Sequence, residues 1–288
     1  MPIRTLLTSL LALLAIPLMS HAQAEQPQLK VPVGLQLYSL RAQFQADGVD
    51  KTLDKVKELG FKYVELAGTY GKTPAEFKAA LEQRGLVPVS AHFGFDLWEK
   101  DPEGTAKQAQ ELGLKFAGVA WITHKGDLDE KTARHAADVF NKAGKATAAH
   151  GIRFFYHNHG YEFAPRPDGT TLFDLIVKET DPKLVSYEMD ILWTVHPGQD
   201  PAALLLKYPD RWVLLHLKDL RKGVKTHVFT GNTDLKNDVT LGTGQVDWKS
   251  VFAAVAKTQV QYAFIEDESP TVLEQLPNSL KFLAQFQK

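Results

Sequence analysis

The chain has 288 residues, with 33 Lys and Arg against 34 Asp and Glu, and no cysteine. The near-neutral, interspersed charge excludes phosphate-backbone binding as the main task, and the missing cysteines exclude disulfides and thiolate metal sites. The length allows one large hydrophobic core.

In chain order, residues 1–24 read as a cleavable export signal. Arg4 supplies the positive end, residues 6–18 form an apolar stretch too short for a good membrane span, and Ala22-Gln23-Ala24 gives a small-x-small cleavage pattern. A polar lead occupies 25–32, and apolar runs then alternate with helical patterns. A run over 33–39 precedes a helix over 49–59 ended by Gly60. A run over 63–66 precedes a helix opened by Thr73 and Pro74, with proline at its first position. The next pairs are 87–92 with 102–112, closed by Gly113, and 116–121 with 128–150. The second half continues with 152–157 and 171–180, 184–190 and 201–207, then 212–217. A long irregular stretch over 219–246 carries Gly223, Gly231, Gly242 and Gly244. It reads either as a cover over a site or as a tolerated insertion. A helix over 247–257, a run over 262–266 and a helix over 273–286 close the chain.

Eight strand-then-helix units imply a parallel sheet with right-handed crossovers, and eight close naturally into an α/β (β/α)8 TIM barrel, here a single domain over 33–288. The structural alternative is a doubly wound open sheet, disfavoured because no GxGxxG follows the first run.

In such a barrel the C-terminal strand ends converge on one face. Four of them carry ligand-type side chains: Glu162 in RFFYHNHGYEF, Asp190 in VSYEMDILW, His216 in WVLLHLKD and Glu266 in YAFIEDE. Three carboxylates and one imidazole form a hard, mostly oxygen site for one divalent ion, Mn²⁺ foremost, with Mg²⁺, Co²⁺ and Zn²⁺ as alternatives. Each residue also has a bland reading: Glu162 as a solvated loop carboxylate, His216 as a hydrogen-bonded core histidine, Glu188 as a competitor for the role of Asp190, and any acid of EDE for Glu266. A second ligand set is His157 with His159, joined by His92 or His124. The alternative places His92, His157 and His159 on the wall of a substrate pocket. Lys218 follows His216 by two positions and so faces the same site, where it would polarise a carbonyl or enolate oxygen. Tyr38, Phe93, Trp121 and Trp193 near strand ends supply a surface for sugar stacking.

The segments HNHGYEF, EMDILW, LLHLKD and FIEDE, with GLQLYSLR and LGTGQVDW, resemble the sugar phosphate isomerase/epimerase family of xylose-isomerase-like TIM barrels, from about Val33 to the C-terminus. The resemblance implies Glu162, Asp190, His216 and Glu266 as ligands of one metal, with Glu162 and Glu266 as acid and base on opposite faces of the substrate. Two features depart from the family. Trp193 stands where many epimerases have histidine, and the expected export signal contrasts with relatives of sugar-phosphate or inositol chemistry, most of which are cytoplasmic; exported members resemble lyases or hydratases of 3-keto-sugars and 3-keto-glycosides. The expectation is a divalent-metal isomerase or epimerase of a small sugar or keto-sugar working through an enediolate, in the periplasm or secreted. It needs no nucleic acid and no membrane after signal cleavage, and the oligomeric state is left open. Rival readings are a 3-keto-glycoside lyase on the same site, a metal-dependent nuclease, and a non-catalytic periplasmic sugar binder.

Overall fold

The structure, a computed structural model, describes residues 26–287, so the export signal expected at 1–24 lies outside the described residues. The first seven strands are β1 (Val33–Gln36), β2 (Tyr63–Leu66), β3 (Val87–His92), β4 (Phe116–Val119), β5 (Arg153–His157), β6 (Val185–Asp190) and β7 (Trp212–Leu217). Two short strands follow, β8 (Asp219–Leu220) and β9 (Asp238–Val239), and then β10 (Tyr262–Ile265). β1 to β7 lie side by side in chain order, and β10 pairs in parallel with both β7 and β1, closing an eight-stranded barrel. The expected TIM barrel is therefore the observed fold.

Local chemistry explains the helix boundaries. Thr73 caps Pro74–Glu82 through a reciprocal pair with Glu76, Asp101 caps Pro102–Leu112, and Thr171 with Asp174 caps Leu172–Glu179. The first helix runs over Arg41–Glu58, earlier than the expected 49–59, because a second helical turn precedes a kink at Gly48 (φ 78°). Two helices were not foreseen: Phe95–Lys100 and the short Ile191–Val195. The stretch over 219–246 is not wholly irregular, since β8 and β9 pair antiparallel within it and make it a strap.

Two-residue alternation sorts the strands into two faces. On β5, Phe154 and Tyr156 pack outward against the helices, where Tyr156 stacks on Phe140 at 4.9 Å. Phe155 points inward and meets Phe116, Leu214 and Phe264 in a separate apolar cluster that fills the barrel's lower half. Two glycines make room for these rings. A Cβ on Gly118 would lie 2.7 Å from the Phe155 ring, and one on Gly34 would lie 2.7 Å from the ring of Phe264. Gly118 and Phe155 are register partners, as are Gly34 and Phe264. Above this apolar layer the inward side chains turn polar.

Candidate active site

The inward positions after the phenylalanines are His157 on β5, Glu188 and Asp190 on β6, His216 at the end of β7 with Lys218 beyond it, and Glu266 just past β10. All are buried. Asp190, His216 and Glu266 each present a ligand atom within 4.8 Å of the other two. His216 Nδ1 lies 3.2 Å from Glu266 Oε2 and 3.8 Å from Asp190 Oδ2, and His157 Nε2 lies 3.9 Å from the same Asp190 oxygen.

Each of these groups is held from behind. Asp190 Oδ1 accepts from the backbone N–H of Trp193 at 2.9 Å, capping the short helix Ile191–Val195, while Oδ2 is buried with no hydrogen-bond partner. His216 Nε2 sits 2.5 Å from Glu65 Oε1. Glu65 also accepts from Gln36 and Ser90, its neighbours across β1 and β3. Burial works against the charge of Glu65, but His92 and His216 outweigh burial and keep it ionised below the usual range. An ionised carboxylate only accepts, so His216 donates through Nε2 and turns Nδ1 to the site. His157 Nδ1 pairs with Glu188 Oε2 at 2.9 Å, leaving Nε2 to face Asp190. Asn158, between the two histidines of HNH, accepts from Asp190 N–H at 3.1 Å and donates to Thr194 at 3.3 Å, tying the ends of β5 and β6 together.

Glu162, expected as a metal ligand and catalytic acid or base, is not in this group. The backbone turns at Gly160 (φ 98°) into a single 3-10 turn and brings Glu162 back over the outer face of β5. There Oε1 accepts from the Tyr156 hydroxyl at 2.8 Å and from His159 N–H at 2.9 Å. Because Tyr156 is an outward residue, the Glu162 carboxylate is separated from the barrel interior by the strand itself. The inward residue of that strand end is His157, which takes the place expected of Glu162. Of the second ligand set, His92 and His157 do fall in one group that could hold an ion, with Glu188 and His216, whereas His159 and His124 stand outside it. His124 stacks on Trp121 and bonds Ile122 O, away from the cluster. His92, His157 and His216 instead surround Glu188 Oε2 at 2.9, 2.9 and 3.3 Å, which are hydrogen-bonding distances.

The residues present fit a divalent ion. One imidazole nitrogen and two carboxylate oxygens, one of them unpartnered, lie within 4.8 Å of one another, and His157 Nε2 flanks them at 3.9 Å from the same Asp190 oxygen. Burial pushes Asp190 up to about 7, and burial together with Glu65 pushes Glu188 up to about 7. Burial opposes the charge of His216, but Glu188, Glu266 and Glu65 hold its proton well above the usual range. Burial would likewise raise Glu266, but Lys218 and His216 hold it well below.

A cavity of about 370 Å³ opens above this layer. Its wall includes Tyr38, His92, Trp121, His157, His159, Trp193, Lys218 and Glu266, but not Phe93 or Glu162, which were also expected to touch substrate. The strap contributes Gly231, Asn232, Thr233, Leu235 and Asp238, so 219–246 covers the site. It is anchored at Asp219, the residue after Lys218. The Asp219 carboxylate accepts from the backbone of Gly242 (2.8 Å), Gly244 (3.1 Å) and Val246 (3.3 Å) and from Trp248 Nε1 (3.0 Å). The segments LKD and LGTGQVDW are thereby two halves of one clamp. Sequence reasoning missed Glu65 and Asp238, and named Glu268 only as an alternative to Glu266 within EDE. The only sign of Glu65 was a lone carboxylate in the apolar run YVEL, an expensive place for an unpaired charge.

Comparison with known proteins agrees with the fold. Residues 53–286 match the family described as Xylose isomerase-like TIM barrel. The chain belongs to that family. It is 25% identical over 260 residues to an inosose dehydratase of Clostridium botulinum, covering 81% of this chain and 86% of the relative. Among solved structures, a sugar phosphate isomerase/epimerase of Parabacteroides distasonis superposes with a TM-score of 0.73 at 26% identity, covering 90% of this chain and all of that one. The IolI protein, solved with a zinc atom, superposes at a TM-score of 0.65 and 12% identity, covering 88% and 96% of the two chains. Within the family, then, this chain's relatives include inosose dehydratases and sugar phosphate isomerase/epimerases.

Proposed function

We propose that this chain is a divalent-metal enzyme that removes the proton beside the carbonyl of a sugar or keto-sugar, and that elimination of water or another β-leaving group is its reaction. The observation that carries the reading is the convergence of Asp190, His216 and Glu266, with His157 beside Asp190, beneath a cavity that also holds Lys218. A divalent ion held by those four would supply Lewis acidity toward the carbonyl and a neighbouring hydroxyl. With two nitrogens among four ligands, the set suits Zn²⁺, Co²⁺ or Mn²⁺ better than the mostly oxygen set expected from sequence.

The chain's own groups do the remaining work. Lys218 Nζ lies 3.0 Å from Glu266 Oε2. Burial disfavours its charge, but Glu266, Glu268, Asp190 and Asp238 hold the ammonium well above its ordinary range. It stays a donor, able to steady the oxygen that gains charge as the proton leaves. Glu266 stays ionised and is the carboxylate placed to take that proton. Epimerisation in the expected form needs a second glutamate on the opposite substrate face, and Glu162 lies outside the barrel. A single base is enough for elimination, which agrees with dehydratases among the relatives. The export signal at 1–24 leads us to place the reaction outside the cytoplasm.

Elemental analysis of purified protein, followed by incubation with inososes and keto-glycosides in deuterated water, tests this reading. About one divalent ion per chain and ultraviolet absorbance of a conjugated enone are expected. Deuterium entering a recovered epimer without enone would restore epimerisation. A chain that takes up no metal even in excess Mn²⁺ or Zn²⁺ and exchanges no proton overturns the proposal.

A further inference from the structure

The charge lining the cavity has a direction. Lys218 is the single Lys or Arg on its wall among the described residues, against the carboxylates of Asp238, Glu266 and Glu268. Two of its three N–H groups are taken, by Glu268 Oε1 at 2.6 Å and Glu266 Oε2 at 3.0 Å, with Asp238 Oδ2 at 3.8 Å, which leaves one N–H for the carbonyl oxygen and none for an anionic substituent. The nearest further cation, Arg41, reaches Glu268 Oε2 at 3.3 Å and stacks over Tyr38 at 4.3 Å. Glu268 is thus shared by both cations at the mouth. A divalent ion would be matched by Asp190 and Glu266, which leaves Lys218 facing Glu268 and Asp238. The imidazoles on the wall add no free charge: His92 and His157 are both paired with Glu188. The helix that begins at the site, Ile191–Val195, has its first turn capped by Asp190.

The unpaired capacity of the cavity is of another kind. Trp193 Nε1 and His159 Nδ1 are both buried without a hydrogen-bond partner, and both residues line the cavity, their rings stacked at 5.7 Å. An indole N–H is a neutral donor, and aromatic faces carrying a few neutral polar atoms suit hydroxyl-bearing rings. Phosphate and carboxylate instead call for forked guanidinium groups, free ammonium groups or open helix N-termini.

We propose that the cavity selects an uncharged polyhydroxy carbonyl compound and rejects its phosphorylated or carboxylated counterparts, with Glu268 as the residue that sets this preference. Glu268 occupies the two cations, Lys218 and Arg41, that an anionic substituent would seek. This rests on the sugar-processing reading above and narrows its substrate class.

The test uses metal-loaded full-length protein and matched probes: free ketoses and inososes, each beside its monophosphate, with inorganic phosphate as a further competitor. Binding is read by the fluorescence of Trp121 and Trp193 and by calorimetry, without turnover. At least one uncharged probe should bind tenfold or more tightly than its phosphate. In Glu268→Gln the gap should narrow severalfold, with phosphate esters gaining, whereas Glu268→Asp should keep it. Thermal melts establish that both variants fold. Phosphate esters binding wild-type protein as tightly as the uncharged probes would overturn the selection while leaving the sugar reading intact. A gap that Glu268→Gln leaves unchanged would overturn the role of Glu268. If neither class of probe binds, the sugar reading falls and this inference falls with it.

Discussion

Replacing Glu162 by glutamine separates the sequence expectation from the structural placement, because the two assign the same side chain to opposite faces of β5. Burial pushes the Glu162 carboxyl up from 4.5 to about 7. Between those values the folded chain keeps a proton that the unfolded chain has released. The contribution is therefore fully present below about pH 4.5 and is lost as pH rises through about 7. The displacement corresponds to roughly 3 kcal/mol when the loss is complete. Glutamine does not ionise, keeps the shape, and still offers an oxygen to the Tyr156 hydroxyl and His159 N–H. Metal-free Glu162→Gln should therefore gain on the wild type by about 1–3 kcal/mol as pH moves from roughly 5.5 to 8, measured by urea denaturation at both values. Its affinity for Mn²⁺ or Zn²⁺ should stay within about threefold of wild type, since no ligand or supporting partner has been removed. A loss of tenfold or more would return Glu162 to the metal site and refute the placement. A stability gap that does not change with pH would refute the electrostatic account.

Two further outcomes follow from the groups behind the site. Glu65→Gln puts an amide where His216, Gln36 and Ser90 all donate, so metal affinity should fall about 10–100-fold in a competition titration with a chromophoric chelator. Unchanged affinity would mean that His216 needs no support. Asp219→Asn removes charge-assisted bonds to the strap and should cost about 1–3 kcal/mol. It should also speed amide hydrogen exchange over 238–246, and identical exchange in the two proteins would show that the clamp does not hold the strap.

The barrel was legible because strand and helix periods alternate cleanly and the helix caps are explicit at Thr73, Asp101 and Thr171. Asp190, His216, Lys218 and Glu266 were legible because each continues the two-residue alternation of an apolar strand. Glu162 was misplaced because that alternation stops at His157. Beyond it the chain turns at Gly160, and which face a side chain reaches is decided by tertiary packing. Glu65 was hidden for a different reason: its partners Gln36, Ser90 and His216 come from three other strands and meet only when the register is known. The strap's role was undecided because its anchor pairs Asp219 with amides more than twenty residues later, with no local pattern to mark it.

Gly118 and Gly34 carry no chemistry, yet they act as indexing slots for the site. The Phe155 ring seats against Gly118, and two residues on stands His157; the Phe264 ring seats against Gly34, and two residues on stands Glu266. A slip of one residue in either strand would set a ring against a neighbour that has a side chain, and would at once turn the ligand to the helix side. The height of two ligands is thus gauged from the barrel's apolar floor. An alanine at either glycine would press on the backbone as well, against Phe155 O at Gly118 and 2.6 Å from Tyr63 O at Gly34, so barrel wall and site would shift together.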